Sequence, residues 1–386
     1  RADFIRKMFT GFGTGNQQAM LNNLTWGLDH KIYGSTAGNG GNVSYAEGVN
    51  QHDFPEPISV TGHDFRIDPV TSQFEAITGS VQFGNSFDDW GNRFLCSESR
   101  PLLTAVLPQR YLSRNPYLPV PSAIHHLTPG PVPIFRISPL ERWRMIRSSR
   151  RIASGSRSPD SAGASHHVID AAAGVTIYRG GAYPPEYYGS VFIGGAQSNV
   201  IHRRVLQTDG VTFSSKRADE GTEFVRSSDN WFRPVNFVNA PDGTLYVLDM
   251  SREILETIHV PLDVTKFLDF TSGREHGRIY RLAPAGYHYP GPPRLGDATI
   301  DELVQALSSP HCWWRETAHR LIYERQDLQA VPLLRQQLSR SESAQTRLHA
   351  LWALKGLNAI HDDDLLMALR DRNGYVREHA MRLSEP

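Results

Sequence analysis

The feature that most limits what this chain can fold into is a short unit that returns through its first 283 residues: an apolar strand, a tight turn and a second strand. Its clearest copy is Trp231 to Glu253. Val235-Asn236-Phe237-Val238 has the β-branched and aromatic content of a buried strand. Pro241-Asp242-Gly243-Thr244 supplies the turn, because Pro presets φ and Gly tolerates positive φ. Leu245-Tyr246-Val247-Leu248 returns as the partner strand, which ends at Asp249 with Arg252 and Glu253 close behind.

Other copies are less regular. Asn23-Leu24-Thr25-Trp26 leads through an Asp29-containing turn to Ile32-Tyr33. Phe83 to Phe87 leads through Asp88-Asp89-Trp90-Gly91 to Arg93-Phe94-Leu95. Gly62 to Pro69 and Phe74 to Thr78 alternate with a period of two and predict a hairpin. Strands are also predicted around Val175-Thr176-Ile177, Tyr187 to Gly194, Asn199 to Leu206 and His276 to Leu282. About four blades' worth of strands, joined by turns and long loops, point to part of a six-bladed β-propeller. Residues 101–163 break the pattern with frequent Pro and an Arg cluster from Arg142 to Arg151, and are expected to be an insertion with a solvated basic face.

Residues 284–298 form a Pro/Gly linker, after which the period becomes helical. Arg315, Arg347 and Arg377 recur in step with Ala318, Ala350 and Ala380, each set preceded by an apolar helix (Leu303 to Leu307, Val331 to Leu338, Leu365 to Leu369). Paired helices with a small residue at the packing position predict a HEAT-like α-solenoid over 299–386, a surface for protein partners. The expected fold class is therefore all-β over 1–283 followed by all-α.

Forty Lys+Arg balance forty Asp+Glu, which gives no basis for nucleic-acid binding as the main role. No apolar run is long enough for a membrane span. Cys96 and Cys312 fall in different predicted domains, so no disulfide is expected; no CxxCH occurs, so no haem is encoded here. The chain starts on Arg1 and ends at Pro386 inside a repeat pattern, and is expected to be a piece of a longer protein, incomplete at both ends.

GFGTGNQQ, NNLTWGLDHKIYGS, GHDFRIDP, QFGNSFDDWGNRF, AGVTIYRGGAYPPEYYGSVF and WFRPVNFVNAPDGTLYVLDMSREILE together resemble the membrane-bound dehydrogenase-type proteins of planctomycetes and verrucomicrobia. Their propeller is similar to that of soluble quinoprotein glucose/sorbosone dehydrogenases, and HEAT-like repeats follow it. The resemblance implies oxidation of a sugar or related alcohol, PQQ with calcium over the central channel, a cytochrome-type electron acceptor and a periplasmic or cell-surface location. It also implies a catalytic His just ahead of Asn22-Asn23-Leu24-Thr25-Trp26; this chain has Gly15-Asn16-Gln17-Gln18-Ala19 there. The Arg-Asn pair expected before the next blade strand reads Gly84-Asn85.

Several residues are candidates for such a site. His63 is the first substitute for the missing base, since an imidazole titrates near neutrality; His166 and His167 are others. Arg66, Arg179, Arg233 and Arg252 can clamp quinone carboxylates bidentately or form salt bridges between blades. Gln82 and Asn85 can line a channel mouth or satisfy loop backbone. Asp88 and Asp89 can hold calcium or cap their turn. No spacing defines a metal site. With Ala19 at the base position, the competing expectation is a non-catalytic propeller that holds a carbohydrate or a protein.

Overall fold

The computed structural model describes residues 3–49, 56–120, 122–128, 130–155, 167–169, 171–255, 260–289, 291 and 293–385. Among these the first 283 residues form five antiparallel sheets and the last hundred a helical array. The first large sheet contains β2 (Asn22–Trp26), β3 (Ile32–Ser35), β6 (His63–Ile67) and β7 (Phe74–Thr78), hydrogen-bonded in that order. The second contains β8 (Phe83–Phe87), β9 (Arg93–Ser97), β10 (Arg100–Ala105) and β11 (Ile124–His126). The third contains β12 (Ala172–Ile177), β13 (Val191–Gly195), β14 (Val200–Asp209) and β15 (Thr212–Arg217), with β16 (Val225–Arg226) also paired to β14. The fourth contains β17 (Pro234–Asn239), β18 (Leu245–Asp249) and β19 (Arg278–Leu282). A small sheet of β1 (Phe9–Phe12), β4 (Gly41–Tyr45) and β5 (Ile58–Ser59) lies against the first.

The four first strands share one irregularity. Pairing slips between Asn22 and Thr25 in β2, Phe83 and Ser86 in β8, Ala172 and Val175 in β12, and Pro234 and Asn236 in β17. Such bulges bend and twist a strand at the point where it must face its neighbours. Here they let the first strands pack backbone to backbone, β2 beside β8, β8 beside β12, and β12 beside β17. A Cβ on Gly174 (φ +79°) would lie 2.5 Å from the Val235 carbonyl oxygen, and one on Gly84 would lie 2.6 Å from Val175. Only glycine meets both the positive φ and the close approach. The sheets of the described residues do not close into a ring. At the bulge level Asn236 Nδ2 donates to Asn23 Oδ1 at 2.6 Å, but Leu24 of β2 and Val238 of β17 stay 61% and 44% exposed.

Apolar clusters fill the gaps between sheets. Phe94, Cys96, Leu102, Val175, Ile177 and Ile193 join the second sheet to the third. Tyr178, Phe192, Ile201, Phe237, Leu245 and Val247 join the third to the fourth. Burial of one such side chain contributes about 2 kcal/mol, so each cluster outweighs any single polar contact around it.

Two expectations for residues 101–163 change. The stretch opens not as an excursion but as β10 and β11, which complete the second sheet. The Arg cluster is helical: α1 (Gln109–Leu112) is followed by α2 (Arg142–Ala153). Its basic face is not simply solvated. Trp143 packs on Ile254, Val260 and on Val264 of α3 (Leu262–Thr265), and this turns Arg144 and Arg147 inward. Glu141 then compensates Arg144 at 3.1 Å.

Six helices follow the linker: α4 (Ile300–Ala306), α5 (Cys312–Arg325), α6 (Ala330–Arg340), α7 (Ala344–Gly356), α8 (Asp362–Leu369) and α9 (Gly374–Leu383). They pair as α4–α5, α6–α7 and α8–α9, and Ala318, Ala350 and Ala380 are fully buried where the pairs stack. Without a Cβ branch at these positions the helix axes approach closely. No described helix is long and apolar enough to cross a membrane.

Candidate functional site

The turns that leave the four first strands all meet the solenoid. Asp29, Asp88 and Asp242 shape three of them by accepting backbone N–H groups from Lys31, from Trp90 and Asn92, and from Thr244. Each is an Asp-turn of the kind the sequence predicts. Against these turns stand the first residues of α5. The Cys312 N–H donates to the Arg179 carbonyl at 3.1 Å, and Trp314 Nε1 donates to the Pro241 carbonyl at 2.6 Å.

Between the strand ends and α5 lies a cavity of about 620 Å³. Its floor is the bulge layer, with Asn23, Asn85 and Asn236. Its walls include Thr25, Trp26, Thr176 and Asn239, and its roof is formed by Trp313, Glu316 and Arg320. The amides hold one another. Asn85 Nδ2 donates to the Asn23 carbonyl at 3.2 Å, and Asn239 Oδ1 accepts the Arg179 N–H at 2.8 Å. Trp26 sits under the Arg320 guanidinium at 4.8 Å.

An ion cluster closes one side. Asp89 is shared by Arg179, at 3.2 Å, and by Arg315, and it accepts from Tyr188 Oη at 2.7 Å. Arg179 also pairs with Glu316 at 2.5 Å. Burial works against ionised Asp89, but the two guanidinium groups outweigh it and hold the carboxyl below its ordinary value. Asp88, beside it, is pushed up to about 6 by burial, against the pull of its turn hydrogen bonds.

Of the sequence candidates, Asn85 and Arg179 share this cavity. The others lie elsewhere. His63 starts β6, on the outer half of the first sheet, and its Nδ1 contacts the Thr61 carbonyl at 2.9 Å. Arg66 is locked between Asp29 at 2.8 Å and Glu75 at 2.7 Å. The Gln82 side chain accepts the Glu98 N–H at 3.2 Å. Arg233 is fully buried at the opposite end of β17, paired with Glu141 at 2.7 Å and donating to the carbonyls of Arg252 and Glu253. Arg252 therefore contributes its backbone to that second cluster. His167 gives its carbonyl to the Ile134 N–H, and His166 lies outside the described residues. Ala19 is 5% exposed, with its carbonyl taken by Asn39 Nδ2 at 2.7 Å.

These positions bear on the implied cofactor. A carboxylate clamp needs guanidinium groups with free N–H pairs converging on one space. Arg66, Arg179 and Arg233 are instead separated, and each is already matched by protein carboxylates. Asp89 lies between two cations, a poor place for calcium, and no group of three or more His, Cys, Asp or Glu is assembled among the described residues. The residues present do not fit PQQ with calcium.

Sequence reasoning missed Trp26, Thr176, Asn239, Glu316 and Arg320 as cavity residues. The signal for the strand residues is their shared place, one to three residues past each bulge; the helix residues give none, because the solenoid reads as a separate unit.

Residues 1–286 match a domain of unknown function, DUF7133. The chain belongs to the DUF7133 family. Residues 300–384 match HEAT repeats, so the solenoid is shown. Among solved structures a glucose dehydrogenase is similar to this DUF7133 chain at 17% identity, over 69% of this chain and 82% of that one, with a TM-score of 0.27. No curated protein matches.

Proposed function

We propose that the DUF7133 region is four blades of a six-bladed propeller, and that its cavity at the solenoid end binds a sugar or a related alcohol. The observation that carries the binding reading is the cavity itself: about 620 Å³, edged by amides and hydroxyls with Trp26 at one wall. Amide and hydroxyl groups suit a polyol, which offers donors and acceptors on every carbon, and an aromatic face suits its C–H side. The propeller reading is supported by the shared bulge of the four first strands and by uncovered Leu24 and Val238, which leave an apolar side open to further blades. On this reading the solenoid presents the propeller to a protein partner.

Calorimetric titration of the full chain with a panel of monosaccharides, disaccharides and polyols tests it. A saturable heat that Trp26→Leu removes is the expected result. No heat with any member of the panel overturns it.

A sugar dehydrogenase is the second reading, favoured by the run of motifs in the sequence. It carries with it an external cytochrome-type acceptor and a periplasmic or cell-surface location. Dye reduction with sugars after addition of PQQ and calcium, in the native chain and in Ala19→His, tests it. Activity in either supports it; none in both, with no PQQ bound by titration, sinks it.

A further inference from the structure

Four buried histidines line the seam between the sheets and the solenoid, two of them bridging it, and their hydrogen bonds fix where each proton sits. His30, in the turn after β2, places Nε2 3.0 Å from the Trp352 carbonyl. A carbonyl only accepts, so Nε2 carries the proton, and buried Nδ1 has no partner among the described residues. His379 of α9 places Nε2 2.9 Å from the Trp90 carbonyl, while its Nδ1 accepts from Trp352 Nε1 at 2.9 Å. It too is protonated on Nε2 alone. His349 of α7 accepts from Arg315 Nε at 3.3 Å through Nε2, so its proton is on Nδ1, which lies 3.0 Å from His319 Nδ1. His319 Nδ1 accepts that proton, so its own sits on Nε2, buried with no partner among the described residues. All four rings are therefore neutral; the two bridges that cross the seam, His30 to Trp352 and His379 to Trp90, each use one defined tautomer, while His319, His349 and Arg315 bond one another inside the solenoid beneath it.

A second proton has no acceptor in any of them. On His379 it would displace the Trp352 indole N–H. On His349 it would face the Arg315 guanidinium. On His319 it would sit between His30 and His349, whose rings lie at 4.6 and 4.8 Å. On His30 it would enter a buried space stacked on Tyr323 at 4.2 Å.

We infer that this histidine seam is an acid-sensitive latch: protonation releases the solenoid from the sheets while each part stays folded. The groups facing the latch agree. His30 has Asp29 and Asp68 on its own side, whose pull does not offset burial, and His319 and Tyr323 from α5. Among the described residues His319 faces His30 and His349, and His349 faces His319 and Arg315, with Arg179 beyond. His379 faces Arg382. Burial comes first in holding all four imidazoles below the ordinary value, and the positive neighbours of His349 and His379 add to it. The undocked state, with ordinary imidazoles near 6.5, takes up the protons; docking is complete above that pH and weakens below it. Asp89, the nearest carboxylate to Arg315, is held below its ordinary value, while Asp88 in the Trp90 turn is raised to about 6; its protonation favours the closed state as pH falls, so opening at low pH has to come from the imidazoles against it.

Hydrogen exchange of the full chain at about pH 7.5 and about pH 5, corrected for intrinsic rates, tests the latch. The Asp88 to Asn92 turn and the seam-facing start of α5 are expected to lose at least about tenfold in protection at the lower pH, a factor equal to one unit of pKa difference at one site. The interior of the third sheet and α6 should keep theirs. Uniform loss everywhere, or no loss at the seam, overturns the latch. Gln offers one neutral donor and one acceptor at every pH, so His30→Gln with His379→Gln, the two residues that bridge the seam, should hold it closed at the lower pH. Opening like the native chain overturns the proposal. If the double variant does not fold, His379→Gln alone must move the opening midpoint to lower pH, and an unmoved midpoint overturns it equally.

Discussion

Asp89 is the residue on which the two halves of the molecule meet. It compensates Arg179 from the third sheet and Arg315 from the solenoid, all three nearly withdrawn from water. Removing one partner of such a cluster leaves charge buried without a counter-ion, which costs about 3 kcal/mol. Asp89→Ala is expected to lower the unfolding free energy from urea titration by that amount, whereas Asp263→Ala, whose exposed pair with Arg150 lies on the surface, should leave it unchanged. Equal effects in the two variants would contradict the cluster. A second test at this scale concerns Gly174. Gly174→Ala forces a methyl group toward the Val235 carbonyl and should cost about 2 kcal/mol in thermal unfolding. Gly189 has the same sign of φ (+78°) but no atom within 4 Å of the missing Cβ. Gly189→Ala should therefore cost only about 1 kcal/mol, the left-handed penalty alone.

At the scale of elements, strands and helices were legible for different reasons. Val235 to Leu248 declares two strands because its turn residues can do little else, and β17 and β18 pair across that turn. The solenoid was legible because Ala318, Ala350 and Ala380 must be small wherever helix pairs stack. β10 and β11 were not legible: nearby prolines mask short strands whose register comes from pairing, β10 on β9 and β11 on β10, not from their own pattern. The site was read less well than the fold. Arg66 and Arg233 sit beside strand ends as a clamp requires, but a strand position does not say which carboxylate the fold brings to it, and Glu75 and Glu141 claimed them. The helix ends offer a test. Asn373 caps α9 by accepting the N–H groups of Tyr375 and Val376. Asn373→Ala should cost about 1 kcal/mol. It should also disturb the stack of Tyr375 on Trp90 at 4.7 Å, visible as a change in tryptophan fluorescence.

The molecule as a whole behaves as two cores joined at one seam, and its cysteines report on them separately. Cys96 lies in the core between the second and third sheets; Cys312 opens α5 at the seam. Burial raises both thiols to about 12, so neither reacts while its surroundings stay closed. In low denaturant Cys312 is expected to be labelled by a thiol reagent before Cys96, because opening the seam costs less than opening a sheet core. Simultaneous labelling would mean that the two parts unfold as one.

The start of α5 has a consequence for how the protein is made. His311, its N-cap, supplies no side-chain acceptor, and the helix's first N–H group is satisfied by the carbonyl of Arg179. The third sheet is therefore the missing cap of a helix more than a hundred residues downstream. During synthesis that carbonyl emerges first, and the sheets can assemble before the solenoid leaves the ribosome. The finished sheet edge then acts as a template on which the helical array nucleates, in the order of translation.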